Sequence, residues 1–164
     1  MFSNKKALGL GQVFIFIVAA ITFALIMIFG YKAVTDFMQK GEQVQFYQFK
    51  TDLENSIKRI YTEYGSIRVE QFQTPGHYEQ ICLVDLDALF NPELCQYDPV
   101  ACAVWEQSSG YDTVDENVFL KPTAPVKIKV SKISLKQDFF CLEIVDGIFT
   151  LTLEGRGDHT FISP

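Results

Sequence analysis

The sequence predicts an α+β protein: a long N-terminal helix, first transmembrane and then amphipathic, followed by a mainly antiparallel β-sheet domain. Three observations predict it. Between Lys6 and Lys32 lie twenty-five residues without a formal charge. Phe46, Phe49, Leu53, Ile57, Ile60 and Tyr64 then recur in steps of three and four, which is one stripe on a helix. Beyond Gly65 the apolar period shortens toward two, and the runs become short, β-branched and aromatic.

The uncharged run is read first. From Val13 to Tyr31 twelve of nineteen residues are Val, Ile, Leu or Phe, and no polar face recurs every third or fourth position. At the rise of an α-helix that segment spans roughly 28 Å, the thickness of bilayer hydrocarbon. Its twelve strongest residues contribute roughly −4 to −7 kcal/mol toward insertion. A secretory signal would be shorter and would end in small residues, whereas this run closes on the bulky "IMIFGY". Lys5 and Lys6 precede it and only Lys32 follows directly, so the short N-terminus is expected in the cytoplasm and the remainder outside. The expected organisation is a basic cytoplasmic leader at 1–12, a transmembrane helix at 13–31, a helical extension at 32–64 and an extracytoplasmic β-rich domain at 65–164.

The extension carries Lys50 four residues before Glu54 and Arg59 four before Glu63, spacings that support a helix surface. Gly65 supplies the stop. The strand candidates that follow are "SIRVEQF", "QICLVDL", "NVFLK", "VKIKVSKISL", "FFCLEIV", "IFTLTLE" and "TFIS". Asp146 and Gly147 predict a two-residue hairpin turn between the fifth and sixth of these. Within "VKIKVSKISL" the apolar parity changes after Val130, and a bulge near Ser131 and Lys132 would restore the face. From Asn91 to Asn117 neither period holds, and the stretch reads as a partly irregular excursion.

Charge narrows the partners. Beyond Lys32 stand eleven Lys and Arg against all twenty Asp and Glu, and no Lys or Arg occurs from Val69 to Leu120. Such a surface repels phosphate backbones, so nucleic acid is not an expected partner; membrane lipid is, together with self-association through the apolar helix. Asp85 with Asp87, and Asp112 with Asp115 and Glu116, offer oxygens to a cation, but neither run has the spacing of a calcium loop. Arg156–Gly157–Asp158 reads as a glycine turn between strands and not as an adhesion motif.

Four cysteines, Cys82, Cys95, Cys102 and Cys141, fall on the side expected outside, where an even count implies disulfides. Three pairings are possible. Cys95 with Cys102, across "CQYDPVAC", and Cys82 with Cys141, in two strand-like runs, are favoured; by loop entropy they would contribute about 2.5 and about 4 kcal/mol. Buried free thiols in a reducing compartment are the alternative. Zinc ligation fails on spacing, because there is no C-x-x-C and His77 and His159 stand alone. No G-x-S-x-G, phosphate loop, dinucleotide fingerprint or H-E-x-x-H occurs, so no catalytic residue, metal or cofactor is expected.

The leader "NKKALGLGQ" running into a long apolar helix, with a cysteine-bearing sheet domain behind it, resembles type IV pilins and archaellins. That resemblance implies processing after Ala7, or after Gly11, with Lys5 and Lys6 as the basic pair, and packing of the apolar helix into an assembly. Many pilins have a Glu five residues into the mature helix; counting from Leu8 or from Gln12 finds Gln12 or Phe16. The "FKTDLENSIKRIY" helix and the "PELCQYDPVAC" loop also resemble archaeal single-pass membrane proteins, a likeness that implies no activity. A structural subunit of a pilin-like assembly and a monomeric anchored ectodomain binding a partner through its acidic surface are therefore the two functional expectations.

Overall fold

Helix α1 runs from Ala7 to Ile60 and is followed, among the described residues, by seven strands and two short helices. The computed structural model describes residues 7–108 and 114–164, with the backbone only at 7–10 and 39. The chain falls into two units, Met1–Gln43 and Val44–Pro164. In the first, α1 is the described element, and its side chains from Gly11 to Val34 are exposed.

In the second unit the remainder of α1 buries Phe46, Phe49, Leu53, Ile57 and Ile60. These are five of the six stripe positions, and the sixth differs. Tyr64 is 82% exposed because α1 ends at Ile60 and the chain turns, with Glu63 N–H donating to the Ile60 carbonyl. The early end also redirects an ion pair. Lys50 does meet Glu54, at 3.9 Å, but Arg59 reaches Glu70 at 3.2 Å and Glu63 is taken by Arg68 at 2.6 Å.

The strands are β1 (Ile67–Gln73), β2 (Gln80–Val84), β3 (Val118–Lys121), β4 (Ile133–Leu135), β5 (Phe139–Glu143), β6 (Ile148–Gly155) and β7 (Thr160–Ser163). They form a four-stranded sheet in the order β1-β6-β7-β4 and a three-stranded sheet in the order β3-β2-β5. All pairings are antiparallel except β4 with β7. The α1 stripe packs with Phe149, Leu151, Leu153 and Ile162 of the larger sheet and Ile81, Leu83 and Phe140 of the smaller in one core. The opposite face of the smaller sheet carries Cys82, Val84, Phe119 and Phe139 into a second cluster. Apolar residues on both faces explain why "ICLV" reads as a continuous run and not as an alternation.

Three local expectations are corrected. Asp146 (φ 53) and Gly147 (φ 74) form the expected tight turn, closed by mutual Val145–Ile148 backbone bonds of 3.0 and 2.9 Å. No hairpin extends from it. β5 pairs with β2 and β6 with β1, so the turn is a corner between sheets. The parity change after Val130 is made by Lys132 in the left-handed region at φ 57, outside any continuous ladder, because only Ile133–Leu135 joins a sheet as a strand. The stretch from Asn91 also holds helices α2 (Leu94–Tyr97) and α3 (Pro99–Ser108). Asp98 starts α3, its Oδ1 accepting from Val100 N at 2.8 Å and Ala101 N at 3.0 Å, with Pro99 in the first helical position.

Candidate functional site

The first unit presents an uncharged, largely apolar helix surface from Val13 to Tyr31. Among the described residues one helix, Gly11–Ile60, is long and apolar enough to cross a membrane by length and composition. Thr22 turns its hydroxyl back onto the helix, donating to the carbonyls of Val18 (2.9 Å) and Ala19 (3.0 Å). Thr35 does the same to Tyr31 at 2.9 Å. A helix whose backbone and hydroxyls are satisfied internally suits a hydrocarbon environment. Of the expected leader, Lys5 and Lys6 lie outside the described residues, Ala7 begins α1, and Gly11 lies within it, where an added Cβ would meet nothing outside its own stretch of helix.

The disulfides sit together around the second core. Cys82 is bonded to Cys141 and Cys95 to Cys102. Cys82 and Cys141 face each other in the β2–β5 register. Asp85 N–H donates to the Asp138 carbonyl and Ile144 N–H to that of Glu79, so the hydrogen-bonded pairs fall on odd β2 positions. Cys82–Cys141 is therefore a non-hydrogen-bonded pair, the kind in which opposed side chains come closest, with Cα atoms 4.0 Å apart. Cys95–Cys102 ties α2 to α3 across the Asp98 cap. Leu94, Ala101, Cys102 and Trp105 from these helices pack against Cys82, Phe119 and Phe139. Both bridges thus border one small apolar layer.

Among the described residues the acidic side chains do not gather into a metal-holding site. Asp85 Oδ1 accepts from Asp87 N at 3.1 Å. Burial raises the Asp85 carboxyl above the ordinary range, and the Asp87 and Asp138 charges add to that. Glu116 is likewise raised by burial, opposed by Lys127 and assisted by Asp98. Asp112 lies outside the described residues. Among those described, no three His, Cys, Asp or Glu side chains gather as a metal-holding group. Arg156, Gly157 and Asp158 form the turn from β6 to β7. Arg156 is engaged by Glu154 at 3.0 Å and lies over the Phe161 ring, while Gly157 (φ 94) donates to the Tyr61 carbonyl at 2.8 Å. Asp158, exposed, accepts from His159 at 2.6 Å and is held below the usual carboxylate range by that bond.

Two polar residues that organise this unit escaped the sequence reading. Asn117, buried, donates through Nδ2 to the Val130 carbonyl and accepts through Oδ1 from Val130 N, both at 2.8 Å. It behaves as a side-chain extension of the ladder. Thr160, fully buried, donates to the Ile57 carbonyl at 2.8 Å. Neither has a local pattern, because each is defined by a residue distant in the chain. Helix α3 did have a signal, Asp98–Pro99 ahead of Ala101, Cys102, Trp105 and Ser108 at helical spacing.

No family model matches the chain, and neither a curated protein nor a solved structure matches it. The functional reading therefore rests on the helix, the disulfides and the surfaces just described.

Proposed function

We propose that this is a non-enzymatic, membrane-anchored extracytoplasmic protein acting as a structural or assembly subunit of pilin-like type. Residues 13–31 cross the bilayer, the basic leader stays in the cytoplasm, and the disulfide-bonded unit lies outside. The observation that carries the reading is an uncharged, largely apolar, exposed stretch of α1 in a chain whose other unit holds two disulfides. Apolar surface of that extent is stable in lipid or against other helices, and disulfides persist where the compartment is oxidising. In an assembly subunit the anchor would do both jobs, holding the chain in lipid and contacting its neighbours.

N-terminal mass determination on protein extracted from native membranes tests the pilin-like part. A mature N-terminus at Leu8 or Gln12 supports it, and an intact Met1 removes it in favour of a plain anchor. Protease added to intact cells tests the orientation, since the region beyond Lys32 should be digested; protection of that region would reverse the topology.

A second reading, a monomeric anchored ectodomain that binds a partner through its acidic surface, is favoured by the lack of any Lys or Arg from Val69 to Leu120. The two readings differ in whether the full-length protein self-associates in a bilayer.

A further inference from the structure

Strand β1 is an outer strand of the four-stranded sheet, paired through one edge with β6. Thr74 N–H donates to the Gly147 carbonyl at 2.8 Å and Gly155 N–H to that of Ser66 at 2.9 Å. Both fit a ladder in which the even-numbered β1 residues bond to β6. The backbone groups of Ile67, Val69, Gln71 and Gln73 therefore point the other way, along an edge seven residues long. The opposite edge, β4, has three residues. In the smaller sheet, β3 is overlaid by Ile128 and Val130, through the Val118–Ile128 bridge and the Asn117 bonds to Val130.

Two of the usual protections of an exposed edge, a proline and a bulge, are missing from β1. It contains no Pro, Lys or bulge, and Ile67 and Val69 are 65% and 70% exposed on its outer face. A groove of about 510 Å³ follows its far end, with Gln45, Gln48 and Asp52 of α1 on one wall and Gln71 and Gln73 on the other. The only charges within β1 itself are Arg68 and Glu70, and these select a partner.

We propose that β1 pairs antiparallel with β1 of a second copy of this chain, about a two-fold axis through Val69. In that register Ile67 stands opposite Gln71 of the second copy and Arg68 opposite its Glu70. The odd-numbered residues form the hydrogen-bonded pairs, as the free edge requires. Arg68 already meets Glu63 and Glu70 already meets Arg59. Across the axis these become one row of alternating charge: Arg59, Glu70, then Arg68 and Glu63 of the second copy. A shift of the axis by one residue toward the N-terminus sets Arg68 against Arg68, and by one residue toward the C-terminus Glu70 against Glu70. Like charges directly opposite are destabilising and opposite charges stabilising, so of these three registers the charge pattern favours the one centred on Val69. The pairing deepens the assembly reading, on which it rests, by naming a contact in the disulfide-bonded unit that is separate from the anchor.

The test uses the full-length chain reconstituted into lipid vesicles, with single added cysteines and copper-phenanthroline oxidation read on non-reducing gels. Val69→Cys should form a linked dimer. Ile67→Cys and Gln71→Cys should each link weakly alone and strongly when mixed. Leu89→Cys, at an exposed position outside the strand, sets the background. Val69→Lys, which keeps the backbone and places two like charges on the axis, should weaken self-association at least about tenfold with an unchanged thermal midpoint. If the wild type self-associates but Val69→Cys links no better than Leu89→Cys, the edge pairing is overturned and the assembly reading stands. If the wild type is monomeric at every protein-to-lipid ratio, both fall.

Discussion

The hydroxyl of Thr160 donates to the carbonyl of Ile57 at 2.8 Å, joining the last strand to the last turn of α1 across 103 residues. That carbonyl is among the final four of the helix, which have no partner within it. Thr160 is fully buried, so the bond replaces water at a helix end the sheet has covered. Gly155 makes the same junction close: a side chain there would run into the carbonyls of Ile60 and Glu63.

Thr160→Val keeps the shape and removes the donor, leaving the Ile57 carbonyl buried and unsatisfied. The expected loss is about 1 to 3 kcal/mol, read as a shift in urea midpoint with little change in slope. A midpoint equal to wild type would show that the bond contributes nothing net.

Leu53 and Ile57 lie in the main core with essentially no exposed surface. Leu53→Ala should cost roughly 2 to 5 kcal/mol, a large part of a typical domain's stability. Lys50→Ala should cost about 1 kcal/mol, because Lys50 is half-buried and its Nζ donates to the Lys127 carbonyl at 2.9 Å. The two variants, compared in one denaturation series at two protein concentrations, separate a packed core from a subunit interface. A midpoint that depends on concentration for Lys50→Ala but not for Leu53→Ala would place the stripe between subunits.

Alkylation without reductant should label no cysteine in the folded protein, and mass mapping should return Cys82 with Cys141 and Cys95 with Cys102. On the loop-entropy model the longer closure, 59 residues, stabilises by about 4 kcal/mol and the shorter, 7 residues, by about 2.5. Replacing the first pair by alanine should therefore lower the thermal midpoint more than replacing the second. The reverse order would mean that the Cys95–Cys102 bridge acts through the α2–α3 cap and not through loop entropy.

Burial holds the Asp85 carboxyl above its ordinary range. With the folded value above the unfolded one, the folded protein takes up the proton first, and ionisation of Asp85 costs stability. Stability should accordingly fall as pH rises from the ordinary aspartate range through the raised value, then level off. Asp85→Asn removes that contribution and should flatten the slope in this window, leaving the part due to Glu116, which is shifted in the same direction. An identical slope in the variant and wild type, from denaturation across that pH range, would rule Asp85 out as the source.

Much of the fold was determined by the sequence itself, because it depends on patterns a few residues long. The apolar run of α1 and the five buried stripe positions from Phe46 to Ile60 follow from composition and helical spacing. The Asp146–Gly147 turn follows from residues that tolerate positive φ. The Asp98–Pro99 start of α3 was also legible, though the excursion around it hid the pattern.

What only the tertiary structure decided are relationships between segments far apart in the chain. A tight turn specifies its own backbone but not whether the strands leaving it stay together, so the corner at Asp146 depended on β2 and β1 competing for β5 and β6. Tyr64 left the stripe because β1 and Gly155 hold the chain where it turns away from α1: Gly65 N–H donates to the Gly155 carbonyl, and Gly155 N–H to that of Ser66. Asn117 and Thr160 became buried donors because the groups they satisfy, at Val130 and Ile57, are brought to them by packing. Local periodicity carries the cost of exposing an apolar face to water. It carries nothing about which distant carbonyl a buried hydroxyl or amide will meet, and that is settled when the layers close.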